Sequence, residues 1–311
     1  MTRRLMASIV VIFGISIVMF GLLHATYPSP AREVLGMRAS VAAVDAWNKA
    51  NGYYDPVAIQ YLRYVGDVLR GDLGYSYVNN QTVADLLLQR APRSAYLAGI
   101  SLLLSVLIAL PVGVYQAARR NSIGDNVVTG LALITYSMPL FLLGLLLIQV
   151  FALWLPIFSF EASQSASMLD VMTAWHEMTL PIATLTGLSV AIFSRYMRSS
   201  SLDVLAQDYI RVVRAKGLPE RLVLARHLMR NAAAPIITLI GLFIPTLLTG
   251  DLITEYLFNY PGLGLLFFNS LQRADYPVLL AFSMLGAILV VAGNFLADIG
   301  LVVTDPRIQL T

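Results

Sequence analysis

The feature that most constrains this chain is a series of apolar stretches, each about as long as a membrane-spanning helix. About 20 predominantly apolar residues in helical conformation cross the hydrocarbon core of a bilayer. Six such stretches occur, at about residues 5–25, 94–118, 127–155, 179–197, 232–250 and 276–303. Of the 311 residues 58% are hydrophobic and 13% charged, against roughly 45–50% and 25% in soluble domains. The sequence therefore predicts an all-α polytopic membrane protein with six transmembrane helices and excludes a water-soluble globule.

Residues 1–26 are predicted to form an N-terminal transmembrane helix that is not cleaved. Arg3 and Arg4 give this segment a basic start, as in a signal peptide, but its apolar run exceeds the 7–15 residues or so of a signal-peptide core. A Tyr-Pro-Ser-Pro run follows it, where a small-residue cleavage site would be expected. Residues 27–93 are polar and are predicted to form a folded insert, and residues 94–311 are predicted to form a five-helix core.

The distribution of basic residues in the loops predicts the orientation of the chain. Lysine and arginine are enriched in short loops on the cytoplasmic side of a membrane. Residues 156–178 contain neither, whereas residues 195–230 contain eight, namely Arg195, Arg198, Arg211, Arg214, Lys216, Arg221, Arg226 and Arg230. Counting helices from this second, cytoplasmic loop places both termini in the cytoplasm. The insert at residues 27–93 then lies outside.

The loop at residues 198–231 is too long for a simple connection, since neighbouring helices are usually joined by about 2–8 residues. A helix is predicted to begin near Ser200, because polar and apolar residues then recur at helical spacing. Gly217 can end this helix in the left-handed conformation, and Pro219 suits the first turn of a second helix over residues 219–231. The sequence thus predicts two short helices joined at a glycine elbow.

Three interpretations of this basic elbow compete. It could be a solvated face attracted to anionic lipid headgroups, or a helix-turn-helix that reads DNA. The DNA interpretation is disfavoured because a reader tethered between two spanning helices could not easily enter a groove, and the net charge of the chain is only +3. The third interpretation, a docking site for a cytoplasmic partner, makes most use of the break at Gly217.

The elbow resembles the corresponding loop of the permease subunits of ABC importers, in particular the variant found in dipeptide and oligopeptide permeases. The Glu-Ala-Ala of the common pattern is absent, but Arg214-Ala215-Lys216-Gly217 and the run from His227 to Asn231 match the variant. A long insert directly after the first helix is similar to the B-type permease of such systems. The other stretches that carry the resemblance are Gly71-Asp72-Leu73-Gly74-Tyr75-Ser76, Tyr260-Pro261-Gly262-Leu263-Gly264, Asp275-Tyr276-Pro277-Val278, Asn294 with Asp298, and Asp305-Pro306-Arg307-Ile308.

The resemblance implies the type I importer permease fold and a peptide as cargo, with nickel, haem or other small solutes also handled by the family. It implies three kinds of partner: a second permease, two cytoplasmic ATPase subunits or domains, and an extracytoplasmic substrate-binding protein. It also implies a location in the inner or plasma membrane of a prokaryotic cell. Membrane lipid is a further expected partner. Residues predicted to couple the chain to the ATPases are Asp208, Arg211, Arg214, Ala215, Lys216, Gly217, Glu220, Arg226 and His227.

The chain itself is predicted not to be an enzyme and to hold no cofactor. A phosphate-binding Walker loop needs Gly-Lys-Ser/Thr, and the only lysines, Lys49 and Lys216, are not preceded by glycine. ATP and Mg are therefore expected on the partner ATPases. The chain has no cysteine and only three widely separated histidines, at positions 24, 176 and 227, so no metal site is predicted. A stand-alone ion-coupled carrier remains the alternative function.

Polar residues within the predicted spans are candidates for the translocation pathway. Asp251 and Glu255 are four residues apart, which predicts one helix face near the external end of the fifth span. They are either interfacial acids that reach water or groups at the pathway mouth that meet the amino terminus of a peptide. Ser137, Met138 and Pro139 predict a break in the third span, which either exposes a carbonyl to a cavity or is a simple kink. Farther along, Asn294 and Asp298 are expected to pack against backbone or a neighbouring loop.

Overall fold

The chain folds into sixteen described helices and one short hairpin. The computed structural model describes residues 2–26, 29–36, 38–249 and 251–304, with side chains at 10–26, 29–32, 34–36, 38–241, 243, 251–293 and 295. The helices are α1 (Thr2–Thr26), α2 (Ala31–Leu35), α3 (Val41–Ala50), α4 (Val57–Leu69), α5 (Val83–Ala118), α6 (Ile123–Ser137), α7 (Leu140–Ile148), α8 (Met168–Thr173), α9 (Trp175–Leu205), α10 (Asp208–Ala215), α11 (Glu220–Leu222), α12 (Met229–Ala232), α13 (Ala234–Thr249), α14 (Leu252–Leu257), α15 (Leu263–Gln272) and α16 (Tyr276–Thr304). Two π-helical segments, Gln149–Trp154 after α7 and Val223–Leu228 after α11, extend these helices.

Every predicted apolar stretch coincides with a helix or a helix pair. Among the described residues, three helical segments are long and apolar enough to cross a membrane: Val83–Ala118, Trp175–Leu205 and Tyr276–Gly293. A fourth span results if α6 and the α7 segment to Trp154 count together. The membrane-spanning character of the chain is therefore clear, while the number six stays a prediction.

The third predicted span, residues 127–155, is not one continuous helix. The axes of α6 and the following segment differ by 107°. Met138 adopts an extended conformation with φ −85° and ψ 133°, because the ring of a following proline disfavours helical backbone at the residue before it. The break predicted at Ser137, Met138 and Pro139 is confirmed, and its angle is far larger than that of a simple kink.

Helix α5 begins at Val83, eleven residues before the apolar stretch starts at residue 94. The Thr82 hydroxyl oxygen accepts a hydrogen bond from the backbone N–H of Asp85 at 3.2 Å, and the hydroxyl donates to the Asp85 carboxylate at 2.6 Å. This arrangement caps the N-terminus of the helix. Capping, and not the onset of apolar residues, therefore sets where α5 begins.

The chain divides into two compact units. The first unit contains Met1–Ala95, Leu248–Leu252 and Pro261–Ala292, and the second contains Tyr96–Leu247, Ile253–Tyr260 and Gly293–Thr311. In the first unit, one apolar cluster joins α5 to α15 and α16 and consists of Val83, Leu86, Leu87, Leu263, Leu266, Val278 and Ala281.

Within the first unit, the hairpin of β1 (Tyr75–Ser76) and β2 (Gln81–Thr82) contacts a segment that is distant in sequence. The buried Ser76 hydroxyl donates to the buried Asp275 carboxylate at 2.5 Å, and the Asn79 amide donates to the same oxygen at 3.2 Å. Burial raises the pKa of Asp275, while both hydrogen bonds oppose that rise. The stretches 71–76 and 275–278, which carry the family resemblance separately, thus form one buried polar contact.

Gly264 allows α15 to approach another segment of the first unit very closely. A Cβ atom at Gly264 would lie 2.7 Å from the Leu252 Cα and 2.9 Å from the Leu252 backbone nitrogen. Backbone atoms cannot move aside as a flexible side chain can. The glycine in this stretch is therefore required by packing.

We expect Gly264→Ala to destabilise the protein, because overpacking of this kind costs about 1–3 kcal/mol. The measurement is the midpoint temperature of unfolding of the purified chain in detergent. Gly130→Ala is the matched control, since Gly130 lies in α6 with no heavy atom within 4 Å of its added Cβ. The control should keep or raise the midpoint, and an equal midpoint for both variants would contradict the packing argument.

Candidate functional site

The predicted elbow is present at residues 208–232. Helix α10 ends at Ala215, and Gly217 adopts the left-handed conformation with φ +76°. Pro219 then precedes a continuous helical stretch that runs through α11, the π-helical segment and α12 to Ala232. The two short helices and the glycine between them are confirmed.

The predicted start of the first elbow helix near Ser200 is wrong. Helix α9 continues from the spanning region to Leu205 without interruption, since residues 188–205 contain neither proline nor glycine. The break falls at Ala206 and Gln207, where Gln207 is extended with φ −73° and ψ 143°. Asp208 therefore occupies the first turn of α10, where its carboxylate is favoured by the helix dipole.

A tyrosine and an asparagine tie the two elbow helices together. The Asn231 amide donates to the Tyr209 hydroxyl at 2.9 Å and to the His227 backbone carbonyl at 2.7 Å. Across the glycine, the Arg214 guanidinium donates to both carboxylate oxygens of Glu220, at 2.6 and 3.2 Å. Arg214 and Glu220 are half exposed, so their pair adds little stability, but its two contacts orient the helices.

The inner side of the elbow is packed against spanning helices of the second unit. Ile210, Val223 and Leu228 are fully buried. Leu228 belongs to an apolar cluster that includes residues of α5, α9, α12 and α13, namely Ala109, Val114, Phe193, Met197, Ala232 and Ile236. Since interiors packed in this way transmit strain, displacement of the elbow would be passed to α9 and α13.

The outer side of the elbow carries most of the predicted coupling residues. Of these, His227 is half-buried and the others are exposed: Asp208, Arg211, Arg214, Ala215, Lys216, Gly217, Glu220 and Arg226. The exposed cations Arg221 and Arg230 lie on the same loop. The elbow therefore presents a mainly basic outer surface and an apolar inner surface.

The acidic pair predicted on one helix face is arranged differently. Helix α13 ends at Thr249, and α14 begins only at Leu252, so Asp251 precedes the helix that contains Glu255. Asp251 is half-buried, whereas Glu255 is fully buried. The apolar residues that precede the two acids give no sign of this interruption in the sequence. The prediction that Asp251 and Glu255 share a helix face is wrong. Burial also contradicts the interpretation of Glu255 as an acid that reaches water at the membrane interface.

At the break between α6 and α7, Ser137 is exposed and Met138 is half-buried. The side chains of Asn294 and Asp298, together with residues 305–308, lie outside the described residues. The expectations for those positions therefore stay predictions.

Sequence reasoning missed an ion pair within the second unit. Arg198 lies in α9 and not in the loop, and its guanidinium donates to both carboxylate oxygens of Asp125 in α6 at 2.8 Å. Asp125 is 1% exposed and also accepts from the Asn121 backbone N–H at 2.9 Å and the Thr129 hydroxyl at 3.3 Å. The two partners are 73 residues apart, so no local pattern links them.

Comparison with known proteins identifies the family. The family described as "Binding-protein-dependent transport system inner membrane component" matches residues 109–310, and the N-terminal family of the same systems matches residues 1–98. The chain therefore belongs to the inner membrane components of binding-protein-dependent transport systems. This membership favours the importer component over a carrier that works alone.

Three relatives match along nearly their whole length. The oligopeptide transport system permease protein AppB of Bacillus subtilis (strain 168) is 37% identical over 311 residues, covering 99% of this chain and 98% of AppB. A putative peptide permease protein of Brucella ovis is 34% identical over 315 residues, covering 99% and 98%. The glutathione transport system permease protein GsiC of Escherichia coli K12 is 32% identical over 310 residues, covering 99% and 97%.

We expect Asp125→Asn to lower the midpoint temperature of unfolding, because it breaks a bidentate pair and leaves the Arg198 charge without its counter-ion. Removal of one partner of a buried ion pair costs about 3 kcal/mol. Asp208→Asn is the control, since the Asp208 side chain is 94% exposed and lies 3.5 Å from Arg211. The control should shift the midpoint little, and equal shifts would show that the Asp125 pair has no structural role.

Proposed function

We propose that the chain is the permease subunit of an ATP-driven ABC importer for peptides of the dipeptide and oligopeptide class. Family membership supports the role of a membrane component that works with a substrate-binding protein. The names of the relatives AppB and GsiC refer to oligopeptide and glutathione transport, and glutathione is itself a small peptide. A peptide is therefore the cargo that the comparisons favour.

In this proposal the chain crosses the cell membrane six times, with residues 27–93 outside and both termini in the cytoplasm. The absence of lysine and arginine from residues 156–178, against six in residues 206–230 after the end of α9, supports this orientation. The chain forms half of the pathway, and a second, homologous permease forms the other half. Two cytoplasmic ATPase subunits bind the ATP and Mg that the importer needs.

The observation that carries the coupling role is the two-sided character of the elbow. Its outer side is basic and exposed, which suits contact with a partner protein, and its inner side shares the Leu228 cluster with α5, α9 and α13. ATP-driven closure of the ATPase pair would move the elbow, and the packed cluster would carry that motion to α9 and α13. A loop that only touched lipid headgroups would need no such packing.

The pathway is proposed to run past the break between α6 and α7, where Ser137 is exposed and Met138 is half-buried. The last carbonyl groups of a helix have no intrahelical partner, so the end of α6 offers acceptors to a polar substrate. Asp251 and Glu255 remain candidates for the external mouth. Since they do not share a helix face, each would have to act separately.

We expect Gly217→Val to insert normally in the membrane but to weaken association with the ATPase subunits and abolish uptake. A β-branched residue at φ +76° is strained by about 1–3 kcal/mol. No heavy atom lies within 4 Å of the added Cβ, so the strain comes from the backbone and not from a clash. Copurification of the ATPase subunits, beside an uptake assay, measures the effect.

The matched control is Gly71→Val in the insert. Gly71 has φ +85° and also has open space around its added Cβ, so the substitution imposes the same kind of strain. ATPase association should survive in this control. Undiminished association and normal uptake for Gly217→Val would show that the elbow is only a lipid-facing connection.

A further inference from the structure

A cavity in the second unit has the chemistry of a site for an anionic oxygen group. Its volume is about 420 Å³, and it is lined by Tyr136, Ile192, Arg195, Tyr196 and Ser199. Among the described residues, the polar side chains that line it can all donate hydrogen bonds, and none of them is a carboxylate. The guanidinium of Arg195 matches carboxylate and phosphate oxygens in a two-point geometry.

The guanidinium of Arg195 lies over an aromatic ring, and this contact leaves the N–H donors of the guanidinium available. Its guanidinium carbon is 5.2 Å from the centroid of the Tyr136 ring. Stacking of this kind holds the planar group in place without neutralising its charge. Within the described part of the chain, Arg195 forms no ion pair, whereas Arg198, three residues further along α9, binds Asp125 through two hydrogen bonds.

The two arginines also reach different ends of α6. Asp125 lies in the first turn of α6 and Tyr136 lies eleven residues beyond it, about 16 Å along the helix axis. Tyr136 directly precedes Ser137 and Met138, at the break where the pathway is proposed to run. A charged group in a spanning helix is costly unless it serves a partner or a pathway. Arg198 has its partner, and the cavity beside the break is the place where Arg195 can meet one.

We propose that Arg195, held on the Tyr136 ring, binds the carboxylate of a peptide during its passage through the membrane. The assignment rests on the proposed function, which supplies the peptide. The same groups could also donate hydrogen bonds to the phosphate of a lipid headgroup. The peptide is favoured because the cavity adjoins the helix break and because three residues with hydroxyl groups line it together with Arg195.

The test compares two forms of one dipeptide, with a free C-terminal carboxylate and with a C-terminal amide. Initial uptake is measured in liposomes that contain the complete importer and its binding protein. The preference of the binding protein is the same for every permease variant, so it cancels when the acid-to-amide ratio of a variant is divided by that of the wild type.

Arg195→Gln should lower this ratio about tenfold, which corresponds to about 1.4 kcal/mol, close to the lower end of the range of about 1.5–3 kcal/mol for a hydrogen bond to a charged group. Arg195→Lys should retain part of the preference, because it keeps the charge but loses the fork of donors. Arg119→Gln is the matched control, since the Arg119 guanidinium lies 5.6 Å from the Tyr115 ring centroid but does not line the cavity. That control should leave the ratio unchanged.

Three results would overturn the assignment. An unchanged ratio in Arg195→Gln would show that the carboxylate is not bound there. Equal losses for acid and amide that appear only in liposomes with phosphatidylglycerol would assign the guanidinium to lipid phosphate. Absence of uptake of either peptide by the wild-type importer would refute peptide transport itself. This measurement does not involve any Arg195 variant, so the two failures can be told apart.

Discussion

The packing of Leu228 into the cluster formed by α5, α9 and α13 is the interaction on which the functional account depends. Without Leu228 and the other buried residues of its inner side, the elbow would be a basic loop attached to the membrane segment only through its two ends. With Leu228 fully buried beside Phe193, Met197 and Ile236, the elbow and the spanning helices share one interior. Because such interiors are close-packed, they shift as a body and do not absorb displacement locally. A local push on the exposed side therefore has a route into the membrane segment.

Charged groups in α9 follow a second physical constraint, the high cost of a charge in a low-dielectric region. Arg198 meets it within the chain through Asp125, and this pair ties α9 to α6. Arg195 lies over the face of Tyr136 and forms no ion pair with any described residue, so its charge is available to an anion. The two arginines, one turn apart in α9, thus have different roles. Arg198 has a carboxylate within reach and is structural, whereas Arg195 pairs with no described carboxylate and is available for function.

Much of this architecture was predictable from local pattern. Apolar length located the spanning helices, Pro139 located the break, and the glycine at 217 followed by proline located the elbow. Helix boundaries were less predictable, because α5 begins at the Thr82 cap and α9 ends at Leu205, where apolar content does not change sharply. The Asp125–Arg198 pair and the Ser76–Asp275 contact were beyond reach, since their partners are 73 and 199 residues apart. The resemblance to peptide permeases identified the elbow as a site, but only packing shows how its inner side is anchored.

The central claim, that the outer side of the elbow contacts an ATPase subunit, is tested most directly by photo-crosslinking in the assembled importer. Benzoylphenylalanine replaces exposed Ala215 in one preparation and exposed Arg70 of the insert in another. The account predicts a covalent adduct between the permease and an ATPase subunit from position 215, with a yield that changes when ATP is added, and none from position 70. An adduct with lipid alone from position 215, or an ATPase adduct from position 70, would contradict it.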